Sequence, residues 1–241
     1  MAFDANVKLA LLEENSHVDA TGNYTCTAFG SPVFSSAVKH DGSYSLNTDT
    51  WHSKGTQLYP DIATASIAAD MKTWSEWTIE FWVYYTGAGS IAPLFQKGST
   101  NLLNGFMFSY YYRTSNQLDI RYNGVQVPLN SFTMSINTWH HFAFTYKAGT
   151  LKVYYDNALV HTVNSLADNN FQSQNTGNYF VAGSTPLNGA GNGTNTYIDN
   201  FIISDIARTT FPTLPLPDGK AGIRYGFVCG GNPRVKIGGT N

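Results

Sequence analysis

The sequence predicts an all-β fold: a two-sheet antiparallel sandwich followed by a short C-terminal extension. Three observations predict it. The chain of 241 residues is poor in charge and rich in aromatic rings, with 12% charged and 15% aromatic residues, where a globular protein usually carries about 25% charged residues. Apolar and polar residues alternate with a period of two along several short runs, the pattern of strands with one buried face. Turn-forming residues interrupt these runs about every 8–12 positions, the rhythm of a sandwich or barrel. Other classes fit poorly. Long helices and coiled coils lean on Ala, Glu, Lys and Leu, and this chain has four Glu, at 13, 14, 76 and 80. Disorder needs low hydrophobicity and high charge, whereas 42% of this chain is hydrophobic. A sandwich often runs to about 200–250 residues as one unit, and a chain of this size buries roughly 70% of its unfolded surface.

The elements follow in order. Thr78–Tyr85 sets Ile79, Phe81, Val83 and Tyr85 on one face and Glu80, Trp82 and Tyr84 on the other. Phe106, Phe108, Tyr110 and Tyr112 share a face, and Leu118, Ile120 and Tyr122 alternate with Asp119 and Arg121. Asn123-Gly124 then marks a hairpin, because both residues tolerate positive φ. Phe142, Phe144 and Tyr146 alternate with Ala143 and Thr145, and Lys147-Ala148-Gly149-Thr150 turns the chain into Leu151, Val153 and Tyr155. Asp156-Asn157 is the next turn. Residues 164–196, rich in Asn, Gly, Ser and Thr, are expected to form long surface loops. In the closing strand Asp199, Phe201 and Ile203 are expected to share a face. Pro212, Pro215 and Pro217 then read as an extended linker, which sets the boundary between a sandwich at 1–211 and a tail at 212–241.

Charge and cysteine content narrow the partners. The net charge is -2, with no basic field to hold a polyanion, so nucleic acid is not expected. The average hides an asymmetry: Lys220, Arg224, Arg234 and Lys236 against Asp218 give the tail a net +3, leaving -5 on the body. Such a tail either is chance in a short segment or docks on an acidic neighbour. Cys26 and Cys229 are too few and too distant for a zinc site. They either remain two separate small apolar residues or pair, which would close a long loop worth roughly 4–5 kcal/mol in the entropic model. No apolar run approaches the 18 or so residues of a membrane span, so membrane insertion is not expected. No basic segment followed by an apolar core opens the chain, so no signal peptide is expected.

Four segments resemble the laminin-G-like branch of the concanavalin A-like lectin/glucanase sandwiches: Trp77–Val83, Asn137–Ala143, Leu151–Asp156 ahead of Asn157, and Tyr197–Ser204. Leu9–Leu12 with Asp19-Ala20-Thr21-Gly22-Asn23, and Gly42–Leu46, extend the resemblance to about residues 7–211. It implies a concanavalin A-like jelly roll of two antiparallel sheets. Ile206–Pro212, with Pro215 and Pro217, is similar to the ending of stand-alone versions in tailed phages, where such domains are virion structural or adsorption proteins. That resemblance implies a virion location after synthesis in a host cytoplasm, the alternative being an extracellular one.

The superfamily includes glucanases, which place carboxylates alternately on one strand so that acid and nucleophile lie about 5–5.5 Å apart. No Glu-x-Asp-x-Glu run occurs, since Thr78 stands between Glu76 and Glu80 where that pattern has Asp, so no catalytic residue is expected. His140-His141 diverge as successive strand residues, and the resemblance makes Trp139 and one His structural. Asp199, beside buried neighbours, needs hydrogen-bond donors or a cation. Backbone amides or an Arg are one answer. Ca²⁺, with Asp199 and Asp156 among six to eight oxygen ligands, is the other. Trp82, Tyr84 and Tyr111, with Arg121, are candidate contacts, because sugars stack their C–H faces on rings while polar groups orient them. Loops or another subunit of a homo-oligomer are the alternative covers for those rings. The resulting expectation is a non-enzymatic surface-recognition or virion decoration protein, its tail anchored through Lys220, Arg224, Arg234 and Lys236 to other virion or surface-assembly proteins. A free lectin-like module that binds cell-surface glycan is the alternative, and a glucanase-type glycosidase is the third.

Overall fold

The computed structural model describes residues 3–29, 33–47, 55–57, 67–86, 91–97, 106–111, 117–122, 125–129, 134–166, 180–182 and 196–211. In chain order its elements are β1 (Val7–Leu11), β2 (Thr27–Phe29), β3 (Val33–Ser35), β4 (Ser45–Asn47), β5 (Gly55–Gln57), α1 (Ile67–Met71), β6 (Glu76–Tyr85) and β7 (Ile91–Lys97). They continue with β8 (Phe106–Tyr111), β9 (Gln117–Tyr122), β10 (Val125–Leu129), β11 (Trp139–Lys147), β12 (Thr150–Tyr155), β13 (Ala158–Val163), β14 (Phe180–Ala182) and β15 (Thr196–Ser204). Two antiparallel sheets result. One runs β13-β12-β11-β6-β15-β4-β3, with β1 also paired to β15; the other runs β10-β9-β8-β7-β14-β5-β2.

The predicted alternation builds the core. Trp77, Ile79, Phe81, Val83 and Tyr85 of β6 point inward together with Phe142, Phe144 and Tyr146 of β11 and Leu151 and Val153 of β12. Phe81 stacks on Phe201 at 5.5 Å, and Phe95 of the second sheet meets Phe81 edge-on at 6.0 Å. Such pairs add to the burial of large rings. The turns behave as their sequences demand: Ala148 and Gly149 join β11 to β12 with φ of 48° and 76°, and Asp156 and Asn157 join β12 to β13 with φ of 46° and 66°. Two consecutive positive φ values match the right-handed twist of the flanking strands. Asn123-Gly124 lies outside the described residues, but β9 and β10 on either side pair with Tyr122 opposite Val125.

The Asp19–Asn23 segment has a structural role. Asp19 is buried and its carboxylate accepts from the backbone N–H groups of Ala10, Thr21, Asn23 and Tyr24 and from the Thr21 hydroxyl. These bonds knot the loop after β1 onto the sandwich.

Two expectations need correcting. Asp199 does not share a face with Phe201 and Ile203. The register of β15 on β6 shifts between Asp199 and Ile202, and Asn200 sits there with φ of 50°. A β-bulge adds one residue to a strand and reverses the alternation beyond it. Ile198, Phe201 and Ile203 therefore reach the core, while Asp199 turns to the opposite face. Residues 164–196 are not loop throughout, since β14 pairs with β5 and β7 inside the second sheet. Cys26 is half-buried against the core, and burial pushes its thiol up to about 12. Cys229, Lys220, Arg224, Arg234, Lys236 and the rest of the predicted tail lie outside the described residues.

Candidate functional site

The outer face of the eight-stranded sheet is organised in rows, because directly paired residues of an antiparallel ladder point to the same side. The outermost row is Trp139–Tyr84–Tyr197–Asn47–Val33, running across β11, β6, β15, β4 and β3. Behind it come His141–Trp82–Asp199, then Ala143–Glu80–Ile202–Ala10, then Thr145–Thr78–Ser204.

Two segments cover the rear rows. The first is the stretch after β15. The Thr78 hydroxyl donates to the Ile206 carbonyl at 2.6 Å and accepts from the Arg208 N–H at 2.9 Å. The Arg208 guanidinium reaches the Asp4 carboxylate at 3.0 Å, the Ser204 hydroxyl at 3.3 Å and Glu80 at 3.9 Å. Glu80 is 1% exposed and also meets His141 at 3.3 Å. Phe211 ends the cover, its ring 5.0 Å from Tyr154 and 5.6 Å from His141.

The second cover is the loop between β3 and β4. His40 lays its ring flat on Trp82, with centroids 3.7 Å apart and planes 16° apart. Asp199 fixes this loop: its Oδ2 accepts the N–H groups of His40 at 3.1 Å and Asp41 at 3.2 Å. Burial, reinforced by the Asp41 and Glu14 charges, pushes the Asp199 carboxyl up to about 8 despite those two bonds. Burial and the neighbouring His141 hold His40 down near 4. Burial thus favours the neutral form of both groups. Glu14 secures the end of the same loop by accepting the Ser43 N–H.

The outermost row stays partly exposed. Trp139 and Tyr84 have ring centroids 5.5 Å apart, and Tyr84 and Tyr197 5.9 Å apart. The Trp139 indole N–H donates to the Lys39 carbonyl at 3.0 Å, and His40 stands edge-on to it at 5.6 Å. Partly exposed rings of this kind can pack against the C–H face of a sugar.

The candidate residues are thus distributed. Tyr84 lies in the open row and Trp82 under His40. Tyr111 and Arg121 belong to β8 and β9 of the other sheet, so the four do not form one surface. Asp156 sits at the turn after β12, accepting His140 Nδ1 and the His141 N–H, each at 2.8 Å. Asp199 is held by the loop. Among the described residues no group of three or more His, Cys, Asp or Glu is placed to hold a metal ion. Trp139, Tyr197 and Asn47 carry no local signal of a contact, because only the strand register aligns them with Tyr84.

Residues 59–210 match the family model described as the concanavalin A-like lectin/glucanases superfamily. No curated protein matches the chain. Among solved structures, domain 4 of AbnA, an extracellular arabinanase from Geobacillus stearothermophilus seen with arabinotriose, is 16% identical with a TM-score of 0.57, over 84% of this chain and 93% of that one. Botulinum neurotoxin type C, which depends on two ganglioside molecules to enter cells, is 15% identical with a TM-score of 0.57, over 84% of this chain and 48% of that one. The binding domain of botulinum neurotoxin DC, in complex with rat synaptotagmin II, is 14% identical with a TM-score of 0.58, over 84% and 49%. The chain spans about half the length of those neurotoxin chains.

Proposed function

The chain belongs to the concanavalin A-like lectin/glucanase superfamily, and from that premise we propose that it is a non-catalytic recognition module binding glycan on the outer face of its eight-stranded sheet. The observation that carries this reading is the Trp139–Tyr84–Tyr197–Asn47 row, which among the described residues stays partly exposed beside both covers. The arabinotriose complex and the ganglioside dependence of structural neighbours support the substrate class. The non-catalytic part is supported by the positions of the four Glu. Glu13 is buried, Glu14 caps Ser43, Glu76 holds Lys147 and the Ala207 N–H, and Glu80 faces His141 and Arg208. A glycan array, run with and without Ca²⁺, tests the reading. Micromolar binding that Tyr84→Ala removes is expected, with no release of reducing ends. Silence across the array, or polysaccharide cleavage abolished by a carboxylate variant, overturns it.

We further propose that the tail from Pro212 onward, with its net +3, holds this module on a larger assembly such as a virion. A chain truncated after Phe211 that still joins the assembly would refute the anchoring role.

A further inference from the structure

A serine, a histidine and a carboxylate stand in line at the start of β11, on the opposite side of the sheet from the outer face. His140 pairs with Val83 of β6, a core residue. Its Nδ1 meets Asp156 Oδ2 at 2.8 Å and its Nε2 meets Ser135 Oγ at 2.6 Å. We propose that Ser135 is an activated nucleophile that cleaves small acyl esters, with His140 as its general base and Asp156 as the residue that positions the base. This goes beyond the glycan-binding reading: the bond broken is an acyl ester, not a glycosidic bond, and none of the four Glu takes part.

The partners fix where the protons lie. A carboxylate only accepts hydrogen bonds, so Nδ1 carries the ring proton toward Asp156 and Nε2 of the neutral ring accepts the Ser135 hydroxyl. That is the order of nucleophile, base and orienting group that activates a serine. Each member is held in place. Asp156 Oδ1 accepts the His141 N–H at 2.8 Å, and the Asp156 N–H donates to the His141 carbonyl at 2.9 Å. The His140 ring lies on Tyr155, with centroids 4.8 Å apart and planes 26° apart. Ser135 follows Met134, which is buried in the core, and Asn137 then donates its N–H to the Tyr85 carbonyl at 2.7 Å. His140 is buried while Ser135 through Thr138 are exposed, so the hydroxyl is reached from solvent and the base is shielded from it. An ester presented from solvent favours a short acyl group. In the reaction Ser135 Oγ adds to the ester carbonyl carbon while its proton passes to His140 Nε2. The bond to the alcohol oxygen breaks, and that oxygen takes the proton. Water then adds to the acyl-serine by the same route, releasing the carboxylic acid and restoring the hydroxyl.

Two assays on the full chain test the proposal: labelling with a fluorophosphonate, mapped by peptide mass spectrometry, and hydrolysis of p-nitrophenyl acetate. A phosphonyl adduct on Ser135 is expected. Ser135→Ala, a surface change checked by circular dichroism, should lose that adduct and hydrolyse the ester roughly a hundredfold or more slowly. Asp156→Asn suits the turn, since Asp156 has φ of 46° and Asn adopts that region readily. It should lower kcat about tenfold or more with KM little changed. Labelling that spares Ser135, or hydrolysis that Ser135→Ala leaves unchanged, overturns the proposal. A loss in Asp156→Asn that falls on KM alone overturns the positioning role.

Discussion

The Asp199 carboxylate accepts the His40 backbone N–H at 3.1 Å across 159 residues of sequence. This bond joins the closing strand β15 to the loop between β3 and β4. The same loop carries the His40 ring that lies on Trp82 and the Lys39 carbonyl that receives the Trp139 indole. One buried carboxyl therefore holds a cover over the second row and orients the first ring of the open row. A half-paired buried carboxyl is costly when ionised, so burial favours its protonated form.

Stability should consequently depend on pH in a distinctive way. Up to about pH 8 the folded chain keeps a proton on Asp199 that the unfolded chain releases near 4. Stability thus falls with rising pH across that window, by up to about 1.4 kcal/mol per pH unit. His40 acts with opposite sign. Between about 4 and 6.5 the unfolded chain binds a proton that the folded ring refuses, so its contribution rises with pH there. The slopes oppose each other below pH 6.5, and only that of Asp199 persists above. Asp41, Glu14 and His141 face the pair and set its field. Urea midpoints measured from pH 5 to 9, roughly level, declining between about 6.5 and 8 and level again above, are the expected result. Asp199→Asn keeps an acceptor for the loop amides and should abolish the decline.

Arg208 is expected to be a sensitive position on the covered face. Its guanidinium spans Asp4, Ser204 and Glu80, and Glu80 is nearly fully buried. Removing one partner of a buried charged group typically costs about 3–5 kcal/mol, because the other charge stays out of water. Arg208→Met should approach the lower end, since Glu80 retains His141 at 3.3 Å. Pairing it with Glu80→Gln should recover part of the loss. Equilibrium denaturation of the two single variants and the double variant measures this coupling.

A side chain at Gly42 should cost stability. Its φ is 58°, a region that costs an L-residue roughly 1–2 kcal/mol. A Cβ there would also collide with the Glu14 carboxylate, which caps Ser43 and so fixes the end of the covering loop. Gly42→Ala should lower stability by about 2 kcal/mol. Gly42→Ala combined with Glu14→Ala should recover only the steric share, leaving the backbone strain, as thermal melts would show.

The fold was legible because its signals are local. Alternation in Thr78–Tyr85 and Phe142–Tyr146 assigned the core faces correctly, and Asp156-Asn157 declared its turn. The site was legible only in part, for three physical reasons. A bulge at Asn200 breaks the period-two rule on which the placement of Asp199 relied, and an Asp-Asn pair within a strand is a weak hint of positive φ. Trp82 takes the loop cover that is one of the alternatives for its ring, and the histidine that supplies it, 42 positions earlier, is a contact that no periodicity encodes. The open row is a property of register. Trp139, Tyr84, Tyr197 and Asn47 sit on four strands from distant parts of the chain, and only pairing brings them into line.

The ring and the indole N–H of Trp139 should prove separable in function. The N–H bond to the Lys39 carbonyl joins neutral partners near solvent, where loss of one hydrogen bond costs about 1 kcal/mol or less because water replaces it. The ring stands between His40 and Tyr84, and its apolar face is what a sugar would stack on. Asp199 holds the loop independently of the indole, so Trp139→Phe should leave the cover in place. That variant is expected to lose less than tenfold in affinity for a glycan bound on the array and about 1 kcal/mol or less in stability. Trp139→Ala removes the ring and should lose more than tenfold, since each tenfold corresponds to about 1.4 kcal/mol and an aromatic stacking partner is worth roughly that much beyond its burial. Isothermal titration with a glycan bound on the array, beside urea unfolding of the same variants, separates the two contributions. Equal losses in Trp139→Phe and Trp139→Ala would transfer the role from the ring face to the loop that the indole N–H holds.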